Sequence, residues 1–355
     1  MSIKVGSVSE LSVSSSDVSD FYKKHWARPI CLSDKSFYRW QFIDNPENNG
    51  NDDCCIAMDG DEIIGVMGLN SRAFYAGDKK LNGAELTTWV VAKEHRNRGC
   101  GPAMIEYLKN NYDVMIGMGI SLDALPVYLR SGFRYIKSIP RYVHVINWDN
   151  VKDHVECAPL AKKYANGQLS FSHFESTEFT KEKVNEIYES FRSSHFSFSR
   201  GYDDIKWRYE DNPYFEYQTF VVNDACLVSV RIDRNIDGFV MAHCVDIFGD
   251  HKHYKSAISA AVDYAQKSGA DALDFFSVNS KLNAELNAMG IFSTLDHEFF
   301  KFPHLFHPVE IRTPATTSLI LWCRGDMAGL LDTSKLHITK QDADFDRPTI
   351  HGMKK

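Results

Sequence analysis

Long apolar runs, paired cysteines and basic clusters are all missing from this chain. No run approaches the roughly 18 apolar residues that a membrane-spanning helix needs, and residues 1–21 lack the apolar core of a signal peptide. Eight cysteines are spread over 355 residues without a Cys-x-x-Cys pair, a usage typical of buried, reduced thiols. These absences predict a cytoplasmic protein with no membrane insertion, no disulfide framework and no bound metal.

The charge balance argues against a nucleic-acid partner. The chain has 40 lysines and arginines against 47 aspartates and glutamates, which gives a net charge of -7 and no basic block. An extended nucleic-acid surface needs the opposite balance. With 44% apolar and 25% charged residues, the composition is that of a globular protein long enough for two domains.

A repeated heptapeptide indicates a duplication. The segment 40–46 (WQFIDNP) recurs at 207–213 (WRYEDNP), and each copy follows a helical stretch and precedes a strand-like run. A helix that ends at Asp-Asn-Pro would explain the shared tripeptide, because asparagine tolerates a left-handed conformation and proline stops a helix. It would not explain the matched flanks. We therefore predict two copies of one domain.

The hydrophobic patterns predict an α/β (α+β) protein with two tandem domains, each built of strands and helices in the same order. The expected organisation is a first domain over 1–150, a connector over 151–180, a second domain over 181–325 and a polar tail over 326–355. In the first half the predicted elements are a hairpin of strands 54–59 and 62–76, a strand 86–91, a helix opening at 101–102, a strand 114–120, a helix 122–130 and a closing strand 141–148.

The junction between strand 86–91 and the next helix has the composition of an anion site. Gly99 and Gly101 leave the backbone bare, and the helix start offers free N–H groups and the positive end of its dipole. Arg96 and Arg98 add positive charge. This arrangement suits a pyrophosphate, although it matches neither a P-loop nor a GxGxxG dinucleotide fingerprint.

This junction resembles the coenzyme A turn of the GCN5-related N-acetyltransferase (GNAT) superfamily, through the pattern Val-x-x-x-x-Arg-x-x-Gly-x-Gly. A second segment, 124–133, resembles the family's A-x-x-x-Y-x-x-x-G-F helix and turn. The resemblance implies two tandem GNAT-like domains, each a mixed, mostly antiparallel central sheet flanked by helices. It also implies acyl-CoA as co-substrate, with its pyrophosphate over the glycine turn. The cofactor-binding residues that it implies are Val91, Arg96, Asn97, Arg98, Gly99, Cys100, Gly101 and Ser121. Ser121 stands where many members have asparagine, so we expect one pantetheine hydrogen bond to be missing or made differently.

The resemblance also implies two catalytic residues. Glu85 precedes Arg96 by a spacing similar to that of the general-base glutamate in the histone acetyltransferase branch. Desolvation on a half-buried strand would raise its pKa toward neutrality. Tyr128 falls where the family has the tyrosine that protonates the coenzyme A thiolate. The structural alternatives are a surface carboxylate for Glu85 and a packing ring for Tyr128.

The second half loses the glycine turn. Its equivalent junction, residues 246–254, contains no Arg-x-x-Gly-x-Gly, and Asp250 would repel a pyrophosphate. We therefore expect one coenzyme A site per chain, with the second domain as a degenerate copy that serves as a platform for the acceptor.

The tail and the whole-chain layout suggest an acceptor. The D-x-D-x-D-R-P tail resembles those of tandem-domain acyltransferases of surface-polysaccharide (lipopolysaccharide or capsule) pathways. The layout resembles sugar N-acyltransferases that act on dTDP-linked 3-amino-3,6-dideoxyhexoses, which implies a nucleotide-linked amino sugar. The second domain is expected to expose candidate cations for its diphosphate at Arg200, Arg208, Arg231 and Arg234, and Arg347 of the tail is a further candidate. Asp344 and Asp346 are the reserve candidates for the general base.

Three alternatives stay open at this point. A GNAT enzyme could use another small amine or a peptide as acceptor. A peptide-bridge aminoacyl transferase also has tandem domains of this fold, but it takes aminoacyl-tRNA and would not need the Arg-x-x-Gly-x-Gly turn. A non-catalytic protein with two degenerate domains would need neither motif. Whether the chain forms a homo-oligomer is not indicated by the sequence.

Overall fold

Each half of the chain builds a mixed sheet; the first sheet receives two strands from the second half, and the second sheet receives one strand from the first half. The computed structural model describes residues 3–26, 29–48, 50–159, 162–163, 167, 169–235, 238–296, 299–306, 309–311, 316–325 and 327–343. The first sheet has the strand order β1-β2-β3-β4-β5-β19-β6, with β10 added on β3, and the second has the order β15-β7-β14-β13-β12-β11-β9.

The strands of the first sheet come mainly from the first 136 residues. They are β1 (Lys4–Ser7), β2 (Cys54–Asp59), β3 (Glu62–Ala76), β4 (Lys79–Val91), β5 (Val114–Met118), β6 (Arg134–Ile136), β10 (Phe196–Phe198) and β19 (Leu319–Cys323). Those of the second sheet are β7 (Arg141–Val145), β9 (Ser176–Thr177), β11 (Tyr217–Val222), β12 (Cys226–Arg234), β13 (Val240–Gly249), β14 (Ala272–Phe276) and β15 (Phe292–Ser293). Two small pairs complete the strands: β8 (Glu156–Cys157) with β16 (Phe300–Lys301), and β17 (Leu305–Phe306) with β18 (Val309–Glu310).

Helices cover both sheets. They are α1 (Ser15–His25), α2 (Lys35–Phe42), α3 (Cys100–Asn111), α4 (Leu125–Arg130), α5 (Trp148–Val151), α6 (Lys181–Arg192), α7 (Tyr202–Ile205), α8 (Tyr254–Lys267), α9 (Ser280–Met289) and α10 (Met327–Leu330). A π-helical turn over Lys206–Glu210 continues α7 and carries the second copy of the repeat. None of the helices in the described ranges has both the length and the apolar character to cross a bilayer.

The fold confirms the predicted class and most elements of the first half. The hairpin strands β2 and β3 have the predicted bounds, with Gly60 in a left-handed conformation (φ 64°) at the turn. Helix α3 begins at Cys100, slightly before the predicted start. The fold also confirms mixed sheets, since β4 and β5 are parallel whereas most other neighbours are antiparallel.

One prediction about the order of strands is wrong. Strand 141–148 was expected to close the first sheet, but β7 pairs with β14 and β15 in the second sheet. Its counterpart β19 lies between β5 and β6 in the first sheet. The two sheets therefore share the same layout and exchange one equivalent strand each. The proposed domain bounds at 150, 180 and 325 stay a prediction, and this exchange crosses them.

The described part of the tail packs on the body of the protein. Residues from Leu336 to Ala343 are buried, and the buried Asp342 accepts hydrogen bonds from Arg72 of the first half (3.2 Å) and Arg200 of the second (2.5 Å). Because an unpaired buried charge is costly, this pairing fixes the segment 336–343 between the two halves.

Candidate active site

Strands β4 and β5 diverge where the predicted base lies. They pair in parallel only from Gly83 to Glu85 on β4, and β4 then runs on to Val91 without pairing to β5. Beyond this point Thr88 has a positive φ of 39°, and the register with β3 shifts between Met67 and Gly68. Glu85 is the last paired residue, at the point where the strands begin to separate.

Glu85 is buried and paired with an asparagine. Its side chain is 3% exposed, and its Oε2 accepts a hydrogen bond of 2.8 Å from Nδ2 of Asn70, which lies directly opposite on β3. Asn70 is also 3% exposed. The alternative of a surface carboxylate is therefore wrong for Glu85.

Two glycines leave room for aromatic rings beside this pair. A Cβ on Gly68 would lie 2.4 Å from Cζ of Phe42, and one on Gly83 would lie 2.8 Å from Cε1 of Phe198. Gly68 precedes Asn70 on the same face of β3, and Gly83 precedes Glu85 on the same face of β4. The two rings thus lie against the sheet on either side of the Glu85–Asn70 pair.

The predicted acid lies on the opposite face of β4. Tyr128 packs in one cluster with Leu86, and neighbouring residues of a strand point to opposite faces. Its ring meets those of Trp89 and Phe133 edge-on, at centroid distances of 5.2 and 5.1 Å. Burial raises the pKa of the Tyr128 hydroxyl, so it stays protonated at neutral pH. Glu85 and Tyr128 are therefore not in one cluster; the strand separates them.

The glycine turn has the backbone geometry of an anion site. Asn97 (φ 62°) and Gly99 (φ 85°) are left-handed, and Gly99 is the N-cap of α3 without a capping side chain. A Cβ on Gly99 would meet nothing within 4 Å, so the space in front of the helix start is open. Left-handed residues beside right-handed ones turn successive N–H groups toward a common point. The residues present fit a pyrophosphate.

Gly101 also lies against an aromatic ring of the preceding strand. A Cβ there would lie 3.0 Å from Cζ2 of Trp89, so this glycine lets α3 pack closely against the indole of β4. Cys100, next to it, is 2% exposed, with its Sγ 3.9 Å from Sδ of Met104. Burial raises the pKa of the Cys100 thiol to about 11, which makes it a poor nucleophile.

The remaining residues of the predicted coenzyme A set hold the shape of the site. Arg96 is exposed, and its Nε donates to the carbonyl of Val91 (3.1 Å). Arg98 pairs with Asp59 at 3.5 Å on the β2–β3 hairpin. Ser121 caps the turn before α4, because its Oγ accepts from the N–H of Ala124 at 3.2 Å. Whether these residues bind coenzyme A stays a prediction.

A group of side chains that could hold a metal lies beside this turn. Ligand atoms of Glu62, Glu94 and His95 lie within 4.8 Å of one another, and both glutamates are exposed. Exposed acidic groups of this kind are common without an ion, so the group supports no metal site. The expected absence of a metal stays a prediction.

The second half closes its equivalent junction. Gly249 is left-handed, but a Cβ there would lie 2.1 Å from the carbonyl oxygen of Ala225, so the space is filled. The carboxylate of Asp250 accepts from the N–H of Lys252 (3.0 Å) at the helix start. A carboxylate thus caps this helix start, whereas the helix start at Gly99 has no side-chain cap.

The arginines predicted as exposed cations are mostly buried. Arg200 is fully buried and paired with Asp246 (2.7 Å) and Asp342. Arg208 is 4% exposed and donates to the carbonyl of Ala343, and Arg231 is 5% exposed and lies over the ring of Phe215 at 4.1 Å. The expectation of exposed cations is wrong for these three, since buried charges need partners. Arg234 is exposed and donates to the carbonyl of Ser268.

The other tail residues lie outside the described ranges: Asp344, Asp346 and Arg347. Two residues at the site were missed by the sequence analysis. Asn70 has no motif, and only the register of the predicted hairpin could have placed it opposite Glu85. Trp89 was seen only as a strand residue, although its ring contacts both the helix at Gly101 and Tyr128.

Comparisons with known proteins agree with the fold. Residues 14–136 match the family model of the acetyltransferase (GNAT) domain. A GCN5-related N-acetyltransferase from Anabaena variabilis is similar in structure, with a TM-score of 0.54 at 11% identity over 90% of this chain and 72% of that one. A protein of unknown function from Enterococcus faecalis has a TM-score of 0.50 at 8% identity, over 91% and 73%. No curated protein matches the sequence.

These findings confirm that the first half contains a GNAT domain and that its fold extends over most of the chain. The match of residues 14–136 to an acetyltransferase domain supports an acyl-CoA-dependent N-acyltransferase. The comparisons carry no information about the acceptor.

Proposed function

We propose that this protein transfers an acyl group from acyl-CoA to the amino group of a nucleotide-linked amino sugar, by direct attack within a ternary complex. The observation that carries the proposal is the position of Glu85. It is a buried carboxylate at the divergence of β4 and β5, and the open left-handed turn at Gly99 lies at the end of the same strand. The turn would hold the pyrophosphate, and the separated strands would admit the pantetheine arm.

The chain's own groups can balance the reaction. Glu85 accepts a proton from the ammonium group of the acceptor, and the freed nitrogen attacks the thioester carbonyl carbon. The carbon–sulfur bond breaks with its electron pair on sulfur, and the Tyr128 hydroxyl gives the sulfur a proton. The proton that nitrogen loses as the amide forms passes to solvent, and the tyrosine regains a proton from solvent. Glu85 and Tyr128 lie on opposite faces of β4. Glu85 would therefore accept the proton of the amine on one side of the strand, and Tyr128 would protonate the thiolate on the other.

The nucleotide-linked amino sugar is the finer part of the proposal. It is supported by the whole-chain layout and by the tail motif, which resemble those of sugar N-acyltransferases. Because Arg200, Arg208 and Arg231 are buried, we no longer propose them as ligands of the diphosphate. Among the described residues, Arg234 is the candidate that is exposed.

A screen of ternary stabilisation tests the acceptor. The protein would be heated with acetyl-CoA and longer acyl-CoAs, each alone and with dTDP-linked 3-amino sugars, other small amines or peptides. The proposal predicts that a nucleotide amino sugar raises the melting temperature beyond the sum of the separate effects and yields an acylated product. If turnover occurs only with a peptide or simple amine, the GNAT chemistry stands and the sugar acceptor is wrong.

Calorimetry tests the assignment of the coenzyme A site. One molecule of coenzyme A should bind per chain, because Asp250 and the filled space at Gly249 close the second junction. A stoichiometry of two would contradict the account of a degenerate second copy.

A further inference from the structure

The indole of Trp89 has a hydrogen-bond donor that no described residue meets. Its Nε1 is buried and has no partner in the described part of the chain, although the ring as a whole is partly exposed. An indole nitrogen can only donate, and a buried one usually finds an acceptor. The N–H of Trp89 therefore points to an acceptor that comes from outside the chain.

A bulge in β4 turns this indole toward α3 and α4. Thr87 and Trp89 lie opposite consecutive residues of β3, so Thr88 is an extra residue in β4. An uninterrupted strand would place Leu86 and Trp89 on opposite faces of the sheet. With the bulge, both residues pack in the cluster that contains Tyr128. Bulges beside functional sites commonly re-aim a side chain in this way.

The bulge has a strained backbone. Thr88 has a positive φ of 39°, which is costly for a β-branched residue. The hydroxyl of the buried Tyr22 donates to the carbonyl of Thr88 at 3.0 Å, so helix α1 holds the bulge in place. Strain of this kind concentrates at functional sites, where a side chain has to stay in one position.

The indole lies between the glycine turn and the predicted acid. A Cβ on Gly101 would lie 3.0 Å from Cζ2 of Trp89, and Cζ2 is bonded to the ring carbon that carries Nε1. The side of the ring next to the N–H therefore lies at the start of α3. The ring also meets Tyr128 edge-on at 5.2 Å, but an aromatic face is only a weak acceptor. Trp89 belongs to the part of β4, beyond Glu85, that does not pair with β5.

We propose that the indole N–H of Trp89 donates to an amide carbonyl of the pantetheine arm of acyl-CoA. The inference rests on the proposed function, in which the pyrophosphate lies at Gly99 and the thioester near Glu85, so that the arm follows the unpaired part of β4. Pantetheine has two amides and no charge, and an amide oxygen suits a neutral donor. A small displacement of α4, the six-residue helix that carries Tyr128, would uncover the N–H beside the partly exposed ring.

A comparison of two ligands tests which part of the co-substrate Trp89 binds. Trp89→Phe removes the N–H, so the Kd of coenzyme A should rise about three- to tenfold, the loss expected for one neutral hydrogen bond. The Kd of adenosine 3′-phosphate 5′-diphosphate, which keeps the pyrophosphate but lacks pantetheine, should not change. Trp322→Phe is the matched control, since Trp322 is a partly buried indole packed on the same cluster from β19. It should lower the melting temperature without changing either Kd.

The indole signals of the unaltered protein give a second measurement. The chain has six tryptophans, so labelling the indoles with nitrogen-15 gives six N–H signals in an NMR spectrum. Nuclear Overhauser contacts with the ring of Tyr128 identify the signal of Trp89 without a variant. Coenzyme A should move this signal downfield, because the N–H gains a carbonyl partner, whereas the nucleotide without pantetheine should not. The signal of Trp322 should stay in place with both ligands.

An unchanged Kd in Trp89→Phe and an unmoved Trp89 signal, in a protein that binds coenzyme A, would overturn the inference and leave the proposed function intact. An equal loss of affinity for both ligands would also overturn it, because Trp89 would then act by packing on α3 at Gly101. If the unaltered protein binds neither ligand, the proposed function itself is wrong, and the inference falls with it.

Discussion

Trp40 and Trp207 bind each other reciprocally. Each indole Nε1 donates a 2.8 Å hydrogen bond to the backbone carbonyl of the other residue, and the two rings stack with centroids 5.5 Å apart. They are the first residues of the two copies of the repeat, and they lie 167 positions apart. The repeat is therefore more than a trace of duplication, since its two copies meet and hold the halves together.

Removing either indole N–H should weaken the whole protein. Trp40→Phe and Trp207→Phe each leave a buried carbonyl without its donor, which is expected to lower the free energy of unfolding by about 1–3 kcal/mol. The loss in the double variant should be smaller than the sum of the two single losses, because the two tryptophans contact each other. Trp26→Phe, at a partly buried position packed on the same cluster, is the control for ring size. Urea unfolding measures all four, and additive losses would contradict the reciprocal pair.

Gly99 should be needed for coenzyme A and Gly269 should not. Both are left-handed glycines with open space around them (φ 85° and 72°), so alanine costs each about 1 kcal/mol of stability. Only at Gly99 would the strain also move the N–H groups at the start of α3. A lost hydrogen bond to a phosphate corresponds to about a ten- to hundredfold rise in Kd. Calorimetry on Gly99→Ala and Gly269→Ala checks this, and equal affinities would place the pyrophosphate elsewhere.

Cys100→Ala should leave turnover within a few-fold of the parent. The thiol is buried against Met104, and burial raises its pKa to about 11, so it has little thiolate at neutral pH. Direct transfer predicts intersecting lines in initial-velocity plots with both substrates varied. Parallel lines, or an inactive Cys100→Ala that still binds coenzyme A, would indicate an acyl-enzyme instead.

Acid should destabilise the fold through buried histidines. Burial lowers the pKa of His144 and of His195 to about 4, whereas each returns to about 6.5 in the unfolded chain. The unfolded state then binds more protons below pH 6.5. The unfolding free energy should be highest above pH 6.5 and fall as the pH drops toward 4, by on the order of 1–3 kcal/mol per histidine. His144→Gln should flatten this slope in urea titrations, whereas His173→Gln, at an exposed site, should not.

Much of the first half could be predicted because its signals are local. The alternation of apolar and polar residues and the Asp59-Gly60-Asp61 turn predicted the β2–β3 hairpin. The glycines at 99 and 101 predicted the junction between β4 and α3. The exchange of β7 and β19 could not be predicted, because a strand's pattern shows that it is buried but not which sheet receives it. For the same reason charged residues such as Arg200 looked exposed: their buried partners, Asp246 and Asp342, are distant in sequence.

Tyr128→Phe should reduce turnover less than Glu85→Gln, which removes the proposed base. The thiol of coenzyme A resembles a cysteine thiol, with a pKa of about 8.5, so its thiolate leaves tolerably without a proton. The defect should not be relieved at high pH, because a higher pH lowers the supply of solvent protons that could replace the one from the tyrosine. A loss of coenzyme A binding in place of slower turnover would assign Tyr128 to packing with Trp89 and Phe133.

The rate of Glu85→Gln as a function of pH tests the central claim most directly. The substitution keeps the shape beside Asn70 but removes the basic oxygen, so turnover at pH 7 should fall by roughly 10²–10⁴. The deficit should shrink as the pH rises, because the free amine then forms without help from the protein. A Glu85→Gln enzyme with near-parental turnover at pH 7 would contradict the account, and it would move the search for the base to Asp344 and Asp346.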